Sequence, residues 1–82
     1  MAQLLYFGKL GDLAGQTSED IALPRGIDNS AALRRWLDGK LKADGAFLEL
    51  SVKICINDEM CHEPCPVCDE DKIAFLPPVG GG

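Results

Sequence analysis

Residues 69–82 read DEDKIAFLPPVGGG: an acidic turn, a short apolar run, two prolines, a valine and three glycines. The run Lys72–Leu76 alternates like a strand, with Ile73 and Phe75 on one of its two faces. Pro77 has no N–H to donate to a neighbouring strand, so the strand is predicted to end before it. The sequence therefore predicts a last strand that passes directly into a tail leaving the sheet.

The rest of the chain predicts four more strands. They are placed at Gln3–Phe7, Asp20–Leu23, Val52–Asn57 and Glu59–His62. A short helical turn is predicted over Leu10–Ala14, and a loop over Pro64–Asp71.

One main helix is predicted between the second and third strands. Its N-cap candidates are Asp28, Asn29 and Ser30, and Gly45 is predicted to end it. One stripe at helical spacing is predicted to face the core, namely Leu33, Trp36, Leu37 and Leu41. The basic side chains between them are predicted to face water, namely Arg34, Arg35 and Lys40.

This order of elements indicates an α+β fold. A mixed five-stranded sheet with one main helix packed on one face is compatible with a ubiquitin-like β-grasp roll. The 82 residues suffice for one domain. We expect the β-grasp domain to span residues 1–76 and a flexible Gly-Gly tail to span residues 77–82.

Composition limits the possible partners and location. The net charge of −5 argues against nucleic acid and favours a basic protein partner, or simply solubility. No apolar run is long enough to span a membrane. The first residues lack the basic and apolar regions of a signal peptide, so a cytoplasmic protein is expected.

The glycine tail allows two interpretations. It is either a frayed end or a segment whose terminal carboxylate is the reactive group. Glycines carry no side chain and could pass through a narrow channel of another protein. A terminal carboxylate, with a pKa of about 3.3–3.7, is ionised at neutral pH and is a poor acyl donor. Adenylation by ATP would activate it, and sulfur could then replace the adenylate.

The stretch 69–82 resembles the C-terminus of the MoaD family, the sulfur-carrier small subunits of molybdopterin synthase. Asp69-Glu70-Asp71 matches the family's acidic turn, although Glu70 stands where glycine is usual. Pro77-Pro78-Val79 matches outright, and Gly80 takes the variable position before Gly81-Gly82. Residues 4–15, LLYFGKLGDLAG, resemble the family's first strand and short helix.

The resemblance implies a non-catalytic sulfur carrier that needs no cofactor of its own. Gly82, next to Gly81, would be adenylated and converted to a thiocarboxylate that donates sulfur to a pterin precursor. The implied partners are a MoaE-type catalytic subunit, a MoeB-type adenylyltransferase with ATP, and a sulfur donor enzyme. Sulfur carriers for thiamine or tRNA thiolation and ubiquitin-like protein modifiers share the fold and the Gly-Gly end, and they stay open as alternatives.

The resemblance also implies a surface that binds these partners. The matching positions are Phe7, Met60 and Leu76, followed by Pro77, Pro78, Val79 and Gly80 in the tail. For Phe7, Met60 and Leu76, packing in the core is the alternative to partner binding.

The stretch CHEPCPVC, residues 61–68, has metal or redox potential. It contains one Cys-x2-Cys pair, whereas closed zinc sites usually combine two close-ligand clusters. The family pattern gives these residues no role, so no metal is predicted. Without a secretory signal no disulfide is expected. Cys61 is predicted to be a small core residue and His62 a surface residue.

Overall fold

The computed structural model describes residues 1–78, so the predictions for Val79, Gly80, Gly81 and Gly82 lie outside the described residues. Five strands and two α-helices follow the predicted order. They are β1 (Ala2–Tyr6), α1 (Lys9–Ala14), β2 (Ser18–Ile21), α2 (Ser30–Leu41), β3 (Lys53–Ile56), β4 (Glu59–Met60) and β5 (Lys72–Leu76), with a 3₁₀ turn at Ala46–Leu48.

The five strands form one mixed sheet in the order β2-β1-β5-β3-β4. The central strand β5 is parallel to its neighbour β1, and Tyr6 lies opposite Phe75. The other neighbouring pairs are antiparallel. The helix α2 contributes Leu33 and Leu37 to the core against one face of this sheet. The α+β prediction, with a mixed five-stranded sheet and one main helix, is confirmed.

The core lies between α2 and the inner face of the sheet. The predicted alternation in β5 is confirmed, because Ile73 and Phe75 are fully buried on this face. Three aromatic rings meet at its centre: Phe47 makes edge contacts with Tyr6 and Phe75, at centroid distances of 6.0 and 5.4 Å. Such edge contacts add to the stabilisation from burial alone.

Tyr6 keeps its polar end inside this core by donating a hydrogen bond to Glu19. The distance from Tyr6 Oη to Glu19 Oε1 is 2.6 Å. Burial, with a further contribution from this carboxylate, raises the pKa of Tyr6 far above its usual value. The phenol is therefore neutral in the folded chain at a pH where an unfolded tyrosine ionises.

We expect the chain to lose stability as the pH rises through about 10, the usual tyrosine pKa, because only the unfolded state then releases the Tyr6 proton. Tyr6→Phe should remove this contribution, so its free energy of unfolding should fall less over the same range. The chain has one tyrosine, so phenolate absorbance reports on Tyr6 alone. Ionisation of Tyr6 near its usual pKa in a chain that is still folded would contradict the prediction.

Arg34 was predicted to face water and is instead buried. Its guanidinium donates hydrogen bonds to the backbone oxygens of Phe47, Glu49 and Val52 and to the carboxylate of Glu63. The hydrogen bond from Arg34 lowers the pKa of Glu63, against the opposing effect of partial burial. Arg34 thus joins α2 to the segment before β3 and to the loop after β4. The guanidinium can be buried because its charge is paired with a carboxylate.

Most predicted strand boundaries differ from the structure by one or two residues, and two differences, at the second strand and at the main helix, can be traced to named side chains. The second strand begins at Ser18, earlier than predicted. Its residue Glu19 takes an inward position that is usually apolar, since its carboxylate accepts the hydrogen bond from Tyr6, and the alternation of apolar residues therefore did not reveal the start of the strand. The helix α2 begins after Asn29, whose side chain caps it, but it ends at Leu41 and not at Gly45. Asp38 accepts hydrogen bonds from the backbone N–H groups of Gly45 and Phe47, which folds the chain back after the helix.

The expectation of unpaired cysteines was wrong for two of the four. Cys61 and Cys65 form a disulfide, with their Cα atoms 6.2 Å apart, a separation typical of disulfides. Cys61 packs at the edge of the core, as expected of a small core residue, but its sulfur is bonded to Cys65. Cys55 and Cys68 carry free thiols. Over residues 1–78, no helix is long and apolar enough to cross a membrane.

Candidate functional site

An apolar groove lies where β5 passes into the tail. It has a volume of about 730 Å³ and is lined by Phe7, Gly8, Ser51, Lys53, Met60, Leu76, Pro77 and Pro78. Phe7 and Met60 are 46% and 55% exposed, which is high for large apolar side chains, and Leu76 is half-buried. A concave apolar surface of this kind on a small protein often marks a partner-binding site.

Strand order explains why three distant residues meet there. Phe7 directly follows β1, and its backbone N–H donates to the carbonyl of Phe75. Leu76 lies on β5 opposite Lys53 of β3, and Met60 lies on the adjacent strand β4. The structure thus brings Phe7, Met60 and Leu76 together in one groove, away from the core. Their role in partner binding stays a prediction.

Gly8 also lines this groove, although it was not predicted as a site residue. Gly8 has a positive φ of 57°, and a Cβ atom at this position would lie 2.9 Å from Cγ of Pro77. A side chain is therefore disfavoured twice, by backbone conformation and by the proline ring. The contact positions Pro77 as the chain leaves β5. The sequence feature that could have indicated a role for this residue is the presence of a glycine directly after the first predicted strand.

The groove has a different charge from the chain as a whole. Among the described residues that line it, Lys53 alone is charged, although the net charge of the chain is −5. The prediction of a basic partner rests on that net charge, and it does not extend to this groove. An apolar partner surface with an acidic group near Lys53 would complement the groove best.

The acidic turn before β5 has a structural role. Asp69 accepts a hydrogen bond from the backbone N–H of Leu23, and Asp71 accepts hydrogen bonds from the backbone of Cys68 and from the side chain of Asn57. Asn57 accepts a hydrogen bond from the N–H of Lys72 in return. These contacts fix the start of β5 and so the direction in which it reaches the groove.

The CHEPCPVC stretch is not arranged as a metal site in the described part of the chain. No three His, Cys, Asp or Glu side chains in residues 1–78 lie close enough together to hold a metal ion. Cys61 and Cys65 are bonded to each other, and His62 is exposed. A disulfide sulfur is not a thiolate, which is the form of cysteine that binds metals.

Comparison with known proteins relates the whole chain to small carrier proteins. The model of the ThiS family matches residues 4–82. A Pyrococcus furiosus protein provisionally identified as molybdopterin converting factor, subunit 1, has a similar structure, with a TM-score of 0.75 and 24% sequence identity over 95% of this chain and 97% of that chain.

Two archaeal modifier proteins are similarly close in structure. SAMP1 from Haloferax volcanii has a TM-score of 0.77 and 19% identity over 99% of this chain and 98% of that chain. Small archaeal modifier protein 1 from Methanosarcina acetivorans has a TM-score of 0.75 and 23% identity over 99% of this chain and 95% of that chain. At these identities the likeness shows the fold alone, and it confirms the predicted β-grasp.

Proposed function

Because the chain belongs to the ThiS family, the ubiquitin-like sulfur carriers that include MoaD, we propose that it is the small subunit of molybdopterin synthase. In this role it carries sulfur for molybdenum cofactor biosynthesis in the cytoplasm. The observation that supports the proposal best is the apolar groove at the end of β5, which Pro77 and Pro78 line on their way into the tail. A partner that binds this groove would receive the tail at a fixed point.

The proposed chemistry takes place at Gly82. Its carboxylate attacks the α-phosphate of ATP, pyrophosphate leaves, and an acyl adenylate forms. Hydrosulfide, supplied by a donor enzyme at the sulfide oxidation level, then attacks the acyl carbon, AMP leaves, and a thiocarboxylate remains on Gly82. The thiocarboxylate sulfur later attacks a pterin precursor, and water then cleaves the bond between this sulfur and the Gly82 acyl carbon, which restores the Gly82 carboxylate. A carboxylate is a poor acyl donor, whereas the mixed anhydride with AMP is readily attacked, which is why ATP is needed.

The chain is proposed to be a carrier and not a catalyst. A MoeB-type adenylyltransferase would catalyse the activation, and a MoaE-type catalytic subunit would carry out the transfer to the pterin. Both would bind Phe7, Met60 and Leu76 in turn, with Pro77–Gly81 leading the tail towards each active site. One shared groove means that the two partners compete, so the carrier must leave the first before it serves the second.

A protein modifier is the second candidate function. Two proteins of similar fold are named small archaeal modifier protein 1 or SAMP1, which supports this alternative. The first step, adenylation of Gly82, is the same for both functions. In a modifier the acyl group would then pass to a lysine amine, and a covalent conjugate would form in place of a thiocarboxylate. Carriers for thiamine or tRNA thiolation differ only in the acceptor of the sulfur.

Intact-mass spectrometry tests the proposed function. The full chain is incubated with a MoeB-type adenylyltransferase, ATP and a sulfur donor, and its mass should rise by the difference between sulfur and oxygen. Addition of a MoaE-type subunit and the pterin precursor should then return the chain to its original mass while molybdopterin forms. A control without ATP should show no change. Stable conjugates to lysine in place of the thiocarboxylate would contradict the carrier and support the modifier.

A further inference from the structure

The Cys61–Cys65 disulfide links the edge of the sheet to the helix layer. Cys61 directly follows β4, the outermost strand beyond β3. Cys65 is held at the start of α2, because Ser30 donates its N–H to the Cys65 carbonyl at 2.8 Å and accepts the Cys65 N–H on its hydroxyl at 3.1 Å. Ser30 is completely buried. The disulfide therefore ties a short edge strand to a fixed point.

The edge strand has few other contacts to hold it. It contains two residues, Glu59 and Met60, and pairs with β3 alone. One further backbone hydrogen bond joins the N–H of Cys61 to the carbonyl of Ile54 at 2.9 Å. Short, exposed elements with few buried contacts open locally at little cost in free energy. The covalent bond thus adds to the pairing of Met60 with Cys55 and to the packing of Cys61 against the core in holding Met60 in place.

The disulfide is accessible, and it is adjacent to the apolar groove. Cys61 and Cys65 are half-buried and line a second cleft of about 310 Å³. Met60 lines this cleft as well as the groove. A small reductant can therefore enter the cleft beside both cysteines, and Cys61 is bonded through its backbone to Met60, which lines the groove.

We infer that the Cys61–Cys65 disulfide is a redox-controlled clamp on β4, and that its reduction by a dithiol loosens Met60 in the apolar groove. One thiolate of the dithiol attacks a cystine sulfur, the disulfide bond breaks, and the other sulfur leaves and takes up a proton. The second thiol of the reductant then resolves the mixed disulfide. Cys61 and Cys65 gain two electrons and two protons, and the dithiol becomes a disulfide.

Reduction should leave the fold intact. The loop from Cys61 to Cys65 is still attached through the pair of Arg34 and Glu63 and through the two hydrogen bonds between Ser30 and Cys65. The disulfide closes a short loop, so it restricts the unfolded chain less than a long-range disulfide does. The expected change is local and centres on Met60.

Cys68 is not expected to exchange with this disulfide readily. A backbone hydrogen bond at Glu70 lowers the pKa of the Cys68 thiol, but desolvation and the Asp71 and Glu70 carboxylates raise it, and the net pKa lies above the ordinary value. The thiolate is the attacking species, so a protonated Cys68 reacts slowly. Its replacement provides a matched control.

The two methionines of the chain make a direct test possible. In the full chain labelled with ¹³C at the methionine methyl groups, the Met60 signal should shift and sharpen when dithiothreitol is added. Met1 precedes β1 and lines neither the groove nor the cleft, so its signal should not move. The double variant Cys61→Ser with Cys65→Ser should resemble the reduced chain without dithiothreitol, and Cys68→Ser should respond as the unaltered chain does.

Two results would overturn the inference. One is a Met60 signal that is the same in the oxidised and reduced chains. The other is alkylation of all four cysteines in unfolded chain that was never reduced, since the disulfide leaves Cys55 and Cys68 alone as free thiols.

The consequence for partner binding rests on the proposed function. The reduced chain should bind a MoeB-type adenylyltransferase about threefold to tenfold more weakly, the usual cost of ordering one flexible side chain. If neither the oxidised nor the reduced chain binds the adenylyltransferase while the Met60 signal changes on reduction, the proposed function fails and the clamp stands. If the oxidised chain binds and reduction changes neither Met60 nor the affinity, the clamp fails and the proposed function stands.

Discussion

Deletion of Gly82 is expected to abolish thiocarboxylate formation while the domain folds normally. The new carboxylate would stop one residue short, about 3.3–3.6 Å from the position at which the adenylyltransferase acts. A misplacement of about 1 Å can already lower a reaction rate a hundredfold, so a whole residue should prevent activation. Intact mass after incubation with ATP, the activating enzyme and a sulfur donor gives the measurement. Thermal unfolding checks the fold, whose last strand within the described residues 1–78 is β5, ending at Leu76.

Two further changes act as companions to this deletion. One residue added after Gly82 should block activation equally, because the Gly82 carbonyl becomes an amide and the free carboxylate moves outwards. Gly81→Val keeps the length and should impair transfer through its bulk alone. A chain without Gly82 that is thiocarboxylated as fully as the unaltered chain would rule out the terminal glycine as the reactive group.

Leu76→Arg is expected to weaken binding to the synthase catalytic subunit by well over tenfold. Burial of a leucine side chain contributes about 1.5–3 kcal/mol, and tenfold in affinity corresponds to about 1.4 kcal/mol. The arginine would also bring a second positive charge close to Lys53, which lies opposite on β3. Titration calorimetry with the purified catalytic subunit gives the dissociation constant.

Leu48→Arg is the matched control for this variant. Leu48 is a leucine that is 47% exposed, whereas Leu76 is half-buried, and it lies in the 3₁₀ turn that packs against α2 and does not line the groove. Its replacement should leave the affinity unchanged, and both variants should remain folded. Equal binding by Leu76→Arg and the unaltered chain would show that the partner docks elsewhere.

The features predicted well from the sequence are those set by neighbouring residues. The bounds of β5 follow from the alternation around Phe75 and from the missing N–H of Pro77, both of which are local properties. The start of α2 falls among the three predicted N-cap candidates, and the structure selects Asn29, whose side chain accepts the N–H of Ala32. Phe7, Met60 and Leu76 were named from the family resemblance, and strand order places them together in the groove.

The features that the sequence did not predict depend on residues far apart in the chain. Arg34 is buried because the fold brings backbone carbonyl groups after residue 46, and also the carboxylate of Glu63, around its guanidinium. Helical spacing alone had predicted that Arg34 lies on the outer face of the helix. The contact of Gly8 with Pro77 joins the two ends of the domain. The expectation of free cysteines came from the presumed compartment and not from geometry, which places Cys61 and Cys65 within bonding distance.

The parallel pairing of β1 and β5 also governs how the domain resists a mechanical load. The first strand begins at Ala2 and the last ends at Leu76, so the outer ends of this pair point in opposite directions along the sheet. Tension between the two ends of the chain acts along the strands, in shear, and loads all the hydrogen bonds between them together. A molecular machine that pulls on the tail therefore meets a domain that yields abruptly rather than one that unzips strand by strand.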